Sequence, residues 1–354
     1  MRSTSFDAAI LETCVSAAVA APSIFNSQPW RFRLEPETVT FHVRAAPGAG
    51  LRYTDPDGRA LHLSAGASVF NLRVAMAHFG WEPVTRLLPS PADPDLLASV
   101  RPTELAAGRP RGTDAELYSV IWRRHSSRFP FSGRPVPPYP RIELAAAAGA
   151  EGAWLGFPEA DETVRLLALT AQAEQRNRLD ADRVKESRRW VRGDPYEAAD
   201  TGLPWAALGP QDARERLPMR DFTAQRRPQR LPARFFETAP AIALLTTEHD
   251  RRTDWLRAGQ ALERVLLLAA ARGLRASLLH QAMEWPDLCE SAAPEPAHAH
   301  MLIRLGYGPE GPATPRRPAR TVIDSEPATR RTEAEADECD SDRPETYGPS
   351  VAPA

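Results

Sequence analysis

Residues Ala21–Trp30 read APSIFNSQPW, and they decide how the rest of the chain is taken. An apolar run precedes them, with Ala8, Ile10, Leu11, Cys14, Val15 and Ala18 at helical spacing. Pro22 stops that helix, because its ring cannot continue the hydrogen-bond ladder. Ser23, Asn26, Ser27 and Gln28 then place hydroxyl and amide groups on irregular backbone. Pro29 favours an extended conformation at Gln28 and leads into the strand-like WRFRL. Taken alone, the stretch is either an ordinary helix–turn–strand connection or a ligand-facing loop between rigid elements.

Outward from it, the patterning predicts strands at Trp30–Leu34, Thr38–Val43, Val84–Leu88 and Leu96–Val100. Between the pairs lies a long helix, GRALHLSAGASVFNLRVAMAHFG, with Leu61, Val69, Leu72, Ala75, Met76 and Phe79 mostly on one side. Its smooth middle, Ser64-Ala65-Gly66-Ala67, allows another helix to approach closely. The Gly/Pro/Arg connector 106–113 marks a boundary between two halves. After it come a helix at Thr113–Trp122, the cluster RRHSSR, a helix at Ile142–Ala148, a strand at Ala153–Phe157 and a long helix from Glu159 towards Val191. Residues 192–234 are rich in Pro, Arg and Asp with weak periodicity, and read as a lid over a ligand site. A strand at Ala241–Thr246, an amphipathic helix at Asp254–Arg272 stopped by Gly273, and strands at Leu274–Leu279 and Met301–Leu305 complete the order.

RRHSSR at 123–128 is the second motif. Forked guanidinium donors suit a phosphate, although the same cluster also serves as a solvated helix end. Together the two stretches resemble the flavin-dependent nitroreductases. There an Arg-His-Ser-x-Lys/Arg motif holds the phosphate end of FMN, while a PSxxNxQPW loop from the other subunit closes over the flavin. The order of elements from about residue 5 to 323 is similar to the Acg-type nitroreductase-like proteins, in which two such halves are fused.

That resemblance implies an α+β nitroreductase-like fold whose two halves, 1–110 and 111–323, mimic a homodimer with central sheets flanked by helices. It implies Ser23, Asn26 and Gln28 on the capping loop, and Arg124, His125, Ser126, Arg316 and Arg317 about the phosphate. Arg128 takes the place of a Lys or Arg that reaches towards the ring and ribityl chain. His280 and Gln281 fall where the family has an acidic residue and a glycine beside flavin N5, a departure that narrows access to the ring. No side chain is assigned the chemistry, which belongs to the flavin. The first half has the loop and the second the cluster, so one FMN per chain is expected. The implied activity carries electrons from NAD(P)H through FMN to a nitroaromatic or quinone-type acceptor. The alternative is an FMN-binding or FMN-sequestering protein with the lid closed.

Composition excludes other classes. The chain has 354 residues, 42% hydrophobic and 25% charged, as in a globular protein with room for a sizeable core. The net charge of −2 argues against a nucleic-acid binder. Lys185 is the only lysine among 44 basic residues, so arginines are common and each is weaker evidence for an anion site. Cys14, Cys289 and Cys339 form no zinc or redox pattern, and no apolar run approaches the roughly 20 residues of a membrane span. A cytoplasmic monomer acting as an internal pseudo-dimer is expected. His298 and His300 lack carboxylate or cysteine company, so no metal is expected. Residues 324–354 are acidic and read as a disordered tail.

Overall fold

The computed structural model describes residues 8–46, 48–104, 113–192, 199–223 and 232–324. Helix α1 (Ala8–Val19) is followed by β1 (Trp30–Glu35), β2 (Thr40–Ala45), α2 (Arg59–His78), β3 (Trp81–Leu87) and β4 (Leu96–Glu104). The four strands form an antiparallel sheet in the order β1-β2-β4-β3. In β2, Phe41 and Val43 are buried while His42 and Arg44 between them are partly exposed, the alternation of a strand with one face inward. The strand begins at Thr40 rather than Thr38, because the chain turns at residues 36–39, where Val39 takes a φ of 51°.

The same order recurs later in the chain. Helix α3 (Tyr118–Ile121) leads to α4 (Pro138–Gly149) and β5 (Trp154–Gly156). After a long insertion come β10 (Ala241–Thr247), α7 (Arg252–Ala271), β11 (Arg275–Leu279) and β12 (His298–Gly306). Their sheet runs β5-β10-β12-β11 and is likewise antiparallel. Strand for strand it repeats the first sheet, and α4 packs on α7 as α1 packs on α2.

The repeats meet where α2 crosses α7. A Cβ on Gly66 would lie 2.2 Å from the Leu256 carbonyl oxygen, and one on Gly259 would lie 2.1 Å from that of Leu63. Each glycine thus faces the carbonyl three residues before the other, so the contact is two-fold about the crossing. Backbones come this close only where neither residue has a side chain. The crossing also buries α2 almost all round: between Ala60 and Met76 only Leu61 and Arg73 keep partial exposure. The one-sided stripe expected of this helix is therefore replaced by burial on both sides.

The insertion between β5 and β10 holds α5 (Ala160–Leu179) and α6 (Ala181–Arg189), not one long helix. Asp180 separates them: its own backbone is extended, and its carboxylate accepts the Asp182 and Arg183 N–H groups to cap α6. Thr113–Leu117 is a 3-10 turn ahead of the short α3, so the helix expected there is reduced to one α-turn. The expected lid is partly described. Its residues β6 (Val191–Arg192) and β7 (Leu203–Pro204) pair in parallel, as do β8 (Gln211–Asp212) and β9 (Ala233–Arg234). Leu203, Leu208 and Phe222 pack with Phe25 and Leu51 into a small core of their own. The connector 106–113 lies almost wholly outside the described residues, as does the acidic tail after Asp324.

Helix α8 (Pro286–Ala292) packs beside β12, and α9 (Ala319–Val322) ends an arm that returns from the second repeat. Ile323 bridges Phe32 on the free edge of β1, and the Asp324 N–H donates to the Phe32 carbonyl at 2.8 Å. The chain up to Asp324 packs as one unit. Among the described residues no helix is long and apolar enough to cross a membrane.

Candidate functional site

A cavity opens where the first α1–β1 loop, segment 122–128, the C-terminal arm and the covering insertion converge. It encloses about 110 Å3 open to the centres of water-sized molecules. Ser23, Asn26, Arg124, His125, Ser126, Arg128, His280, Gln281 and Arg316 all line it, brought together from four separate parts of the chain. Gln28 and Arg317 do not line it. Leu63 of α2, Leu262 of α7, Leu278, Met301 and Phe222 give it apolar walls suited to a flat ring.

The loop after α1 is held in an uncommon conformation. Phe25, Asn26 and Gln28 have φ of 52°, 55° and 51°, a region that non-glycine residues seldom occupy. Ser23 holds it: its carbonyl accepts the Asn26 N–H and its hydroxyl accepts the Gln28 N–H, both at 3.0 Å. Such strain persists only where surroundings over-determine it, and it clusters at functional sites. The Asn26 amide then acts as a strut. Nδ2 donates to the carbonyls of Gly202 and Pro315, each at 2.9 Å, and Oδ1 accepts from Arg316 at 2.8 Å. Gln28, fully buried, donates to the Asp200 carbonyl at 2.7 Å and accepts the Arg317 N–H at 2.9 Å. Both amides tie the cover and the arm to the first repeat.

Segment 122–128 is docked on the second sheet. The Ser127 N–H donates to the Ala276 carbonyl at 2.8 Å. The arm passes against its backbone because position 311 lacks a side chain: a Cβ there would lie 2.1 Å from the Ser126 carbonyl oxygen. Arg124 and Arg316 consequently converge, and each donates to the Ala20 carbonyl, at 3.2 and 3.3 Å.

Arg124 is buried, Arg128 and Arg316 are half-buried at the cavity wall, and all three are short of counter-charge. Burial first, and Arg124 second, push the Arg316 guanidinium down to about 9. Arg128 is pushed down to about 10 by burial and by Arg220. It donates to the Ala207 carbonyl at 2.9 Å and stacks over Phe222, 4.7 Å from the ring centre. Among the described residues neither Arg128 nor Arg316 has a carboxylate within salt-bridge distance. Arg124 has only Glu263 of α7, at 3.3 Å. His125 is lowered by burial and by Arg124 and Arg316. Cations short of counter-charge at a cavity wall favour an anionic ligand, and their forked donors can hold a phosphate monoester.

A second polar centre fixes the other wall. Glu284, its side chain fully buried, meets Arg220 at 2.5 Å, Arg183 at 3.4 Å and His280 Nδ1 at 3.3 Å. Burial raises Glu284, but Arg220 and His280 outweigh it and hold the carboxyl below its usual range. Arg220 comes from the cover and lines the cavity beside Phe222. The Gln281 amide is turned to the Pro218 carbonyl at 3.0 Å and so also holds the cover.

Arg220, Phe222, Glu263 and Glu284 escaped the sequence reading. Glu263 carried a faint signal: with Arg264 it interrupts the apolar run of α7 between Leu262 and Val265. Arg220 carried none, being one of many arginines.

No family model matches the chain. A Mycobacterium tuberculosis H37Rv protein named "Putative NAD(P)H nitroreductase Rv3131" is 33% identical over 326 residues, covering 90% of this chain and 92% of that protein. The acg protein of the same strain, which bears the same kind of name, is 30% identical over 324 residues, 89% of this chain and 95% of that one. Among solved structures, a BluB-like flavoprotein from Clostridium difficile 630 aligns with 58% of this chain and 96% of that one, at 15% identity and a TM-score of 0.38.

Proposed function

The chain belongs to the nitroreductase family, and on that premise we propose that the cavity holds one FMN beneath the covering insertion. The protein would then pass electrons from NAD(P)H to a nitroaromatic or quinone-type acceptor. The observation that carries the reading is the set of cavity-lining arginines, Arg124, Arg128 and Arg316, which among the described residues meet a single carboxylate between them. Arg124, Arg316 and the Ser126 hydroxyl bind the phosphate, with His125 beside them. Arg128 steadies the ring end from beneath Phe222. Leu63, Leu262, Leu278 and Met301 form the dry slot, and His280 stands on its far wall. The two repeats act as the two subunits of a dimeric relative, each bringing one part of the site. Bound flavin supplies the electron-transfer chemistry, while the chain orients it and keeps water out. Asn26, with both amide protons already donated, supports the cover and leaves only an oxygen lone pair for a ligand.

A second reading, FMN held in store without turnover, is favoured by one feature: the cover reaches into the cavity with Arg220 pinned to Glu284. NAD(P)H added anaerobically to the yellow holoprotein separates them. Bleaching supports the oxidoreductase, and an unchanged spectrum supports storage.

Flavin released from fully loaded protein is expected to approach one per chain. Arg124→Ala is expected to weaken FMN by roughly ten- to a hundredfold, since hydrogen bonds to charged groups contribute about 1.5–3 kcal/mol. Riboflavin lacks the phosphate and should bind both proteins alike. Titrating both flavins into both apoproteins checks this. An equal loss for the two ligands would mean that Arg124 supports the fold and that the phosphate lies elsewhere.

A further inference from the structure

We infer that Glu263 is the resident counter-ion of the anion subsite, holding Arg124 until a phosphomonoester takes its place and taking up a proton when it does. This rests on the reading that the phosphate lies between Arg124 and Arg316. Glu263 sits mid-way along α7 with its side chain fully buried, and Arg124 Nε lies 3.3 Å from its Oε1. Neither carboxylate oxygen makes a hydrogen bond of ordinary geometry, and the Nε atoms of Arg124 and Arg316 are likewise unpartnered. A structural ion pair of this depth normally has its remaining lone pairs satisfied, because desolvation otherwise exceeds the Coulomb gain. This pair is only half made, as suits a contact that is exchanged.

The surroundings of Glu263 restrict what else can respond. Arg124 faces it from segment 122–128 and Arg316 from the C-terminal arm, and among the described residues no other charged group acts on it. Asn71 approaches from α2 without closing a hydrogen bond of standard geometry. On α7 itself, Arg264 is turned away to Asp114 and Glu151, and Gln260 accepts from Arg73. Both arginines also act on His125, which they hold below its usual range together with burial.

Charge then dictates the exchange. Two guanidinium groups and one carboxylate leave a single positive charge. A dianionic phosphate would turn that into a single negative charge inside a buried site. One proton from solvent, bound to a Glu263 oxygen, restores neutrality. Burial already pushes this carboxyl up to about 7 with both arginines beside it, so a nearby dianion carries it higher still.

The test is calorimetric titration of FMN into full-length apoprotein at pH 8, in two buffers of different ionisation enthalpy. The second phosphate ionisation, near 6, is complete there and contributes no proton of its own. Between about half and one proton is expected to be taken up per FMN bound, and none with riboflavin. Wild-type affinity is expected to fall up to tenfold per pH unit above about 7, towards the bound-state pKa. Glu263→Gln should abolish the uptake and flatten that slope. Glu263→Asp, which keeps a carboxyl, should retain part of both and guards against a glutamine variant that does not fold. FMN binding to wild type without uptake overturns the inference alone. Uptake that survives in Glu263→Gln and vanishes in His125→Gln overturns it in favour of the imidazole. A protein that binds no FMN overturns the reading of the site and this inference with it.

Discussion

Gly259→Ala is expected to destabilise the protein by on the order of 4 kcal/mol or more, a large share of the roughly 5–15 kcal/mol that stabilises a folded domain. In an ordinary helix interior the same change would stabilise by roughly 0.8–1 kcal/mol, because alanine is the better helix former. Here the new Cβ would lie 2.1 Å from the Leu63 carbonyl oxygen, a backbone atom of another buried helix. No rotamer relieves that overlap, so α2 and α7 must separate and part the side chains packed around them. Gly66→Ala should do the same by the two-fold relation, meeting the Leu256 carbonyl at 2.2 Å. Gly133, with nothing within 4 Å of its Cβ position, is the control. Thermal unfolding of the three variants decides it. Melting temperatures for Gly66→Ala and Gly259→Ala as high as that of Gly133→Ala would show that the helices do not cross at this distance.

Glu284→Ala is the second large effect, expected to cost about 3–5 kcal/mol. The substitution removes one carboxylate but leaves Arg220 and Arg183 in place with their charge, 2.5 and 3.4 Å from where it stood. Those guanidinium groups come from the cover and from α6, while His280 comes from the cavity wall, so one carboxylate joins three parts of the chain. Loss of the ion centre should therefore loosen the cover before it unfolds the repeats. Limited proteolysis of residues 199–223, run beside urea unfolding, measures both. Glu284→Gln, which retains the shape and an acceptor, should show a smaller loss in each assay. Stability within about 0.5 kcal/mol of wild type for Glu284→Ala would mean that water already serves these arginines.

Much of this architecture follows from short stretches read locally. Pro22 ends α1, Gly273 ends α7 with a φ of 74°, and Phe41 and Val43 mark the inward face of β2. Gly66 announced a close helix approach before its partner was known. Local reading failed where one residue overrode a longer pattern. Asp180 divides what composition alone presents as a continuous helix, because its carboxylate offers the next turn a cap. Strand β2 starts two residues later than alternation suggests, because the chain turns through residues 36–39.

The sequence by itself determined which groups were available: a loop of small polar residues closed by Gln28 and Pro29, and a basic cluster at Arg123–Arg128. It also determined the order of strands and helices that carries them. Only the tertiary structure decided what those groups do. Asn26 and Gln28 turned out to brace the cover, because Gly202, Asp200 and Pro315 lie within reach of their amides. Arg124, Glu263 and Arg316 became one electrostatic unit although about fifty or more residues separate each from the next. The reason is physical: an arginine in solvent and an arginine in a buried site read identically as letters. The difference between them is desolvation, which is a property of everything packed around the charge.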